Sequence, residues 1–112
     1  VFVFVHHDET QSESENQSAA EAAAKAALGA YWTALEGTLD PNKVAKASDN
    51  ALVGNPDTVA AQIVERFHPE DRLMLWFDFF NHDTEAVKKM MQVFMDEVAP
   101  RVEKLLKDKA SP

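Results

Sequence analysis

Two apolar runs, residues 1–5 and 73–77, leave no polar face along the chain. The first is β-branched and aromatic throughout, which is typical of a strand buried on both sides in a parallel sheet. A hairpin strand with one face in water would instead alternate apolar and polar residues. The second run shows the same pattern and is preceded by Arg72. We therefore predict two parallel strands, at residues 1–5 and 72–77.

A long helix is expected after the first strand. Thr10 and Glu13 have the spacing of a capping box, in which each side chain bonds a free backbone N–H at the helix start. The helix is predicted over about residues 11–36, and its alanine-rich centre has high helix propensity. Residues 37–54 are the least patterned part of the chain and contain a turn signal at Asp40. We predict a long connection there, with at most one short helical turn.

Two further helices are predicted in the second half. Asn55 is the expected N-cap of the first, with Pro56 at its first helical position and His68 beyond its end. In the second, apolar residues spaced three and four apart form one face. They are Val87, Met90, Met91, Phe94, Val98, Val102 and Leu105. Pro100 is expected to kink or end this helix.

The predicted order is strand, helix, long loop, helix, strand, helix, which favours an α/β protein with a parallel sheet and three main helices. Two parallel strands alone leave apolar edges unpaired, and we find no third strand in the sequence. The chain also opens at Val1, inside a strand pattern. We therefore expect a segment of a larger protein, or a chain that pairs its edges with a second copy.

Composition narrows the class of protein. The 112 residues include 11 Lys and Arg against 19 Asp and Glu, a net charge of −8, and no Cys. The negative charge argues against nucleic-acid binding, and no apolar run approaches the roughly 18 residues of a membrane helix. The lack of Cys excludes a disulfide scaffold and Cys-based zinc sites. We expect a cytoplasmic domain that binds neither nucleic acid nor membrane.

Polar and aromatic residues cluster where each predicted strand ends. The carboxyl ends of parallel strands meet at one edge of a sheet, where α/β proteins bind ligands. The cluster comprises His6, His7, Asp8, Trp76, Asp78, Phe79, Asn81 and His82. These residues could form a pocket wall, or they could simply cap the following helices and serve as ordinary polar loop residues. We predict no metal site, because adjacent histidines on a strand end point to opposite sides.

Two stretches of the second half contain recognisable sequence motifs. Residues 54–60 read Gly-Asn-Pro-Asp-Thr-Val-Ala, and residues 94–101 read Phe-Met-Asp-Glu-Val-Ala-Pro-Arg. Together with the strand between them, they resemble the C-terminal end of the bacterial luciferase-like flavin-dependent monooxygenases. That family has a Gly-(Ser/Thr)-Pro-(Glu/Asp)-x-(Val/Ile)-Ala helix start, a last barrel strand and a helix ending in Phe-x-x-Glu-Val-x-Pro. Residues 3–10 also look like the family's strand followed by an acidic, Thr-capped helix.

The resemblance implies that the chain is a C-terminal segment of a luciferase-type TIM barrel. A full barrel takes about 250 residues, so this chain would be incomplete alone. Residues 1–36 would be a strand and helix, residues 37–54 a variable insertion, and residues 55–112 a helix, the last strand and the last helix.

The same resemblance implies a function for the parent protein. It would oxidise a small organic substrate with O₂ and reduced FMN, or a deazaflavin in some branches, with a flavin reductase as a further partner. Cofactor binding is assigned to Trp76, Asp78, Asn81 and His82, and the substrate pocket to His6, His7, Asp8 and Phe79. The catalytic groups would lie mostly in earlier strands, so the isolated chain is expected to be inactive.

Two alternatives come from other classes of protein. One is a non-catalytic oligomerising module that pairs its strand edges and its Met-rich last helix across a two-fold axis, as a homodimer does. The other is a small ligand-binding domain that uses the His and Asp rim alone.

Overall fold

The computed structural model describes residues 1–37, 40–77 and 84–110, which form a mixed α/β fold that is mostly helical. Two strands, β1 (Val3–Val5) and β2 (Leu52–Gly54), pair in parallel. The helices are α1 (Glu13–Glu36), α2 (Pro41–Asn50), α3 (Pro56–Arg66), α4 (Thr84–Val93) and α5 (Ala99–Ala110). A π-helical turn, Phe94–Val98, joins α4 to α5. No helix in the described ranges is long and apolar enough to cross a membrane.

β1 lies in the middle of the sheet. On one side it pairs with β2, and on the other Phe2 forms a parallel bridge with Trp76. The Val3 N–H donates to the Trp76 carbonyl at 3.0 Å, and the Trp76 N–H donates to the Val1 carbonyl at 2.8 Å. The two predicted strands are therefore parallel neighbours, although the second forms only an isolated bridge.

Both faces of β1 are buried, as its apolar pattern predicts. Val3 is 0%, Phe4 2% and Val5 4% exposed. Phe4 packs with the buried alanines of α1, while Val3 and Val5 pack with α3 and the π-helical turn. Helices thus cover both sides of the sheet. This is a layered arrangement, whereas a barrel carries helices only on its outer face.

β2 lies inside residues 37–54, so the prediction of an unpatterned loop there is wrong. The same stretch contains α2, a helix of 10 residues rather than one turn. Asp40 is its N-cap and accepts a hydrogen bond from the Asn42 N–H at 3.0 Å, and Pro41 occupies the first turn. The turn signal at Asp40 is therefore the start of a helix, since Asp and Pro suit both positions.

The two predicted N-caps have different outcomes. Asn55 caps α3 as expected, because its Oδ1 accepts a hydrogen bond from the Thr58 N–H at 2.9 Å. The prediction for α1 is wrong by two residues. Ser12 is the cap and accepts a hydrogen bond from the Glu15 N–H at 3.1 Å, whereas Thr10 bonds Asp8.

The last predicted helix continues past Pro100 instead of ending there. Proline has no N–H to donate to the carbonyl four residues earlier, so a regular α-helix loses a hydrogen bond at this point. The chain takes up the irregularity in the π-helical turn, where the Ala99 N–H donates to the Phe94 carbonyl. Phe94 and Val98 are buried there, so the turn also anchors this helical stretch to the core.

Candidate functional site

A cleft of about 540 Å³ opens at the carboxyl end of β1, between α1 and α4. Its volume falls in the range of sites that hold small organic ligands, about 300–1,000 Å³. One wall is the alanine face of α1, and the opposite wall includes Met90 and Val93 of α4. The polar lining residues are His6, His7 and Lys89. The cleft is therefore an apolar slot with a few basic groups.

The alanine-rich sequence of α1 explains why this space is open. Ala19, Ala23 and Ala26 line the cleft, and an alanine side chain ends at Cβ. Ala20 and Ala24 are buried against β1 at 1% and 0% exposure, which lets the helix backbone approach the sheet closely. The small side chains of α1 thus allow close packing against the sheet and also leave room for the cleft.

His6 continues the hydrogen bonding of β1, since its N–H donates to the Gly54 carbonyl at 3.1 Å. Its side chain lines the cleft, and its Nε2 atom is buried without a hydrogen-bond partner among the described residues. Buried polar atoms normally have a partner, and each exception needs an explanation. A ligand in the cleft would supply one.

His7 is engaged elsewhere. Its Nε2 lies 4.0 Å from Glu97 Oε1 on the π-helical turn. Glu97 is in turn bonded by Arg101, and this bond lowers the pKa of Glu97. His7 thus borders the cleft while its ring faces an ion-paired carboxylate. Across residues 1–37, 40–77 and 84–110, no group of three or more His, Asp or Glu side chains could hold a metal ion.

Asp8 holds the loop between β1 and α1. Its Oδ1 accepts hydrogen bonds from Thr10 Oγ1 at 2.7 Å and from the Thr10 N–H at 2.9 Å. These bonds lower the pKa of Asp8, and the electrostatic influence of Lys89 acts in the same direction. Buried Asn16 bonds both the N–H and the carbonyl of Asp8. The contacts of Asp8 match the alternative of a loop residue.

The end of β2 is tied to α1 through Gln17, which sequence reasoning missed. Gln17 Oε1 accepts a hydrogen bond from the Asn55 N–H at 3.0 Å, and Asn55 Nδ2 donates to the Glu13 carbonyl at 3.2 Å. Gly54 has φ 147°, and a Cβ there would collide with the Gln17 amide. A Gly-Asn pair before a helix was visible in the sequence, but its partner 37 residues upstream carried no signal.

Trp76 is not part of the cleft. Its ring packs edge-on against Phe2, with centroids 5.4 Å apart. Phe2 is four residues before His6, so the two ends of this stretch are about 13 Å apart. The structure therefore does not bring Trp76 together with His6, His7 and Asp8. The remaining predicted site residues, Asp78, Phe79, Asn81 and His82, lie outside the described residues.

Lys89 is the one basic group that α4 contributes to the cleft lining. It influences Asp8 electrostatically, which places its charge near the end of β1. Sequence reasoning did not single it out, because a lysine on an amphipathic helix usually faces solvent.

No protein-family model, curated protein or solved structure matches the chain.

Proposed function

We propose that the chain belongs to a luciferase-type flavin-dependent monooxygenase and that the cleft at the end of β1 takes the flavin. The observation that carries this proposal is the cleft itself, an apolar slot of about 540 Å³ with His6 and Lys89 in its lining. When bound, the flavin would supply the electrons that reduce O₂ while a small organic substrate is oxidised. The chain's own residues would bind and orient these molecules.

The residues present fit a planar ring that carries acceptor and anionic groups. The alanine face of α1 is flat, and Met90 on the other side is a flexible, polarisable side chain that adapts to aromatic surfaces. His6 Nε2 can exchange a hydrogen bond with a polar ring atom, and Lys89 can neutralise a negative charge. FMN and deazaflavin cofactors share these features, so the lining does not choose between them.

The spatial relation of the two family-like motifs also supports the proposal. Asp57 belongs to the first and Arg101 to the second, and Arg101 Nε donates a hydrogen bond to Asp57 Oδ1 at 2.8 Å. Motifs that are 44 residues apart in sequence thus meet in one ion pair. Such a contact is expected if the two motifs pack against each other in one structural unit.

The barrel is part of the proposal and sets a requirement. Helices cover both faces of β1, whereas a barrel strand turns one face to the other strands. Completion of a barrel would therefore require one helical layer to leave the sheet. The 112-residue chain is expected to bind the cofactor weakly and to lack turnover.

Titration of the 112-residue chain with FMN, followed by quenching of flavin fluorescence, tests the proposal. We expect saturable binding that Lys89→Ala weakens several-fold. Lys88→Ala is the matched control, because Lys88 is the adjacent lysine, 68% exposed and paired with Glu85. Absence of saturable quenching by the folded chain, or equal effects of the two variants, would contradict the assignment of the cleft.

A second candidate function is a homo-oligomerising module. The exposed apolar side chains favour it, since Met74 is 73%, Met95 66% and Trp76 51% exposed. Sedimentation of the chain at increasing concentration tests it. A monomer at every concentration would exclude this function.

A further inference from the structure

The cleft at the end of β1 differs in charge from the chain as a whole. The sequence has 19 Asp and Glu against 11 Lys and Arg, a net charge of −8. None of the described residues that line the cleft is acidic, and the lining includes Lys89 of α4. Such a lining in an acidic chain favours a ligand with an anionic group. Three places around the cleft could receive that group.

The start of α1 is closed to an anion. A helix N-terminus attracts negative charge through its free N–H groups. Here Ser12 Oγ accepts a hydrogen bond from the Glu15 N–H at 3.1 Å. Glu13 and Glu15 lie in the same first turn and already bring two carboxylates to it. An anion placed there would be repelled by both.

The two histidines are poor partners for an anion as well. His7 Nε2 lies 4.0 Å from Glu97 Oε1, so this side of its ring faces a carboxylate. His6 Nε2 is buried and has no hydrogen-bond partner among the described residues. A highly charged group would lose its hydration at this buried atom, whereas a polar atom of an uncharged ring would not.

Lys89 is the third place. It is exposed at the border of the cleft, and within the described ranges no carboxylate forms an ion pair with it. Asp8 is influenced by its charge, but Asp8 Oδ1 is bonded by Thr10. The Lys89 ammonium is therefore available to a ligand, and lysine binds phosphate well as a point charge.

We propose that Lys89 binds the phosphate of the flavin, while the ring lies deeper in the cleft between His6 and the alanines of α1. This inference deepens the proposed function and rests on it. It makes the ligand a flavin with a phosphate monoester, such as FMN. Riboflavin has the same ring and ribityl chain without the phosphate. At pH 7 such a phosphate carries a charge of about −1.5 to −2, and at the exposed end of the cleft it stays in contact with water.

A comparison of FMN with riboflavin tests the phosphate site, since both carry the same fluorescent ring and quenching measures both. The 112-residue chain should bind FMN about fivefold more tightly than riboflavin, as expected for a favourable exposed ion pair. Lys89→Ala should remove this preference by weakening FMN binding alone, whereas Lys89→Arg should keep it. Lys88→Ala is the matched control and should also keep it. Roughly 1 M salt should abolish the preference, because the Debye length falls to about 3 Å.

The phosphate site and the proposed function can fail separately. Equal affinities for the two flavins overturn the phosphate site, and if Lys89→Ala weakens both, flavin binding in the cleft still stands. A preference for FMN that persists in Lys89→Ala also overturns the site. If neither flavin binds saturably, the proposed function fails and the phosphate site fails with it. The comparison on the unmutated chain needs no variant, so it decides even if Lys89→Ala does not fold.

Discussion

Arg101 joins the start of α3 to the π-helical turn. Its Nε donates to Asp57 Oδ1 at 2.8 Å, and its Nη1 donates to Glu97 Oε2 at 2.8 Å and to the Glu97 carbonyl at 2.6 Å. One planar guanidinium thus fixes two elements of the core layer that covers Val3 and Val5. The arrangement depends on the fork of N–H donors, which lysine does not have.

Arg101→Lys should therefore destabilise the fold although it keeps the charge. A single ammonium cannot reach both carboxylates, and we expect a loss of about 1 kcal/mol in the free energy of unfolding, measured by urea denaturation. Arg101→Ala should cost a similar amount. Lys104→Ala, an exposed lysine of the same helix, is the control. If Arg101→Lys behaves like the control, the junction contributes nothing beyond charge.

Stability should fall in acid. The hydrogen bond from Arg101 lowers the pKa of Glu97 below its ordinary value of 4.5, and Thr10 lowers the pKa of Asp8 below 3.8. A carboxyl whose folded pKa is depressed stabilises the fold above its unfolded pKa, and this contribution is lost as the pH falls through the folded pKa.

The free energy of unfolding should thus decrease as the pH drops below about 4.5, with the decrease smaller in Glu97→Gln. Glu103→Gln, an exposed glutamate of α5, is the control and should keep the full pH dependence. Equal pH profiles for the two variants would remove Glu97 from the explanation.

Gly54 should not tolerate a side chain. Its φ of 147° is a conformation that L-residues rarely adopt, and a Cβ would also push Gln17 away from the Asn55 N–H. Gly54→Ala is expected to cost about 1–3 kcal/mol of stability.

A double variant separates the two causes. In a Gln17→Ala background the collision is gone, but the backbone strain stays. Most of the cost of Gly54→Ala should therefore persist there. A cost that disappears in that background would mean that the Gln17 amide, rather than the backbone, makes glycine necessary.

The Gln62 amide bonds the backbone of Val53 at the edge of β2 that faces away from β1, so Gln62→Leu should expose this edge. It removes the amide that bonds Val53 and leaves two backbone groups without partners, at a cost of about 1–3 kcal/mol. It should also promote association through this edge, detected by light scattering. Gln92→Leu is the control, since Gln92 is exposed and its side chain bonds Asp96. Unchanged stability and association in Gln62→Leu would show that water replaces the amide.

Local sequence signals predicted the elements whose own residues determine them. The long helix follows from its alanines, Asn55 from its cap chemistry and the buried strand from residues 1–5. β2 was missed because Leu52–Gly54 is too short to show a pattern, and because its strand conformation depends on pairing with β1. Thr10 and Ser12 both suit a helix cap. In the structure Ser12 is the cap, and Thr10 bonds Asp8 instead.

The cleft was predictable only in part. His6 and His7 follow the rule that ligands bind where parallel strands end, and both line it. Lys89 and the alanine wall come from helices whose sequence reads as ordinary amphipathic or helix-forming residues. Trp76 was placed at the same edge because the register of its pairing was unknown; alignment with Phe2 moves it to the other end of β1.

The central claim is that the cleft between α1 and α4 binds a flavin. Backbone amide shifts of the isotopically labelled 112-residue chain during FMN titration test it most directly. The proposal predicts saturable shifts that cluster at His6, His7, Ala23 and Lys89, with little change at Gln62 and Arg66 on the far side of the sheet. Shifts that fail to saturate, or that cluster around Gln62 and Arg66, would contradict it.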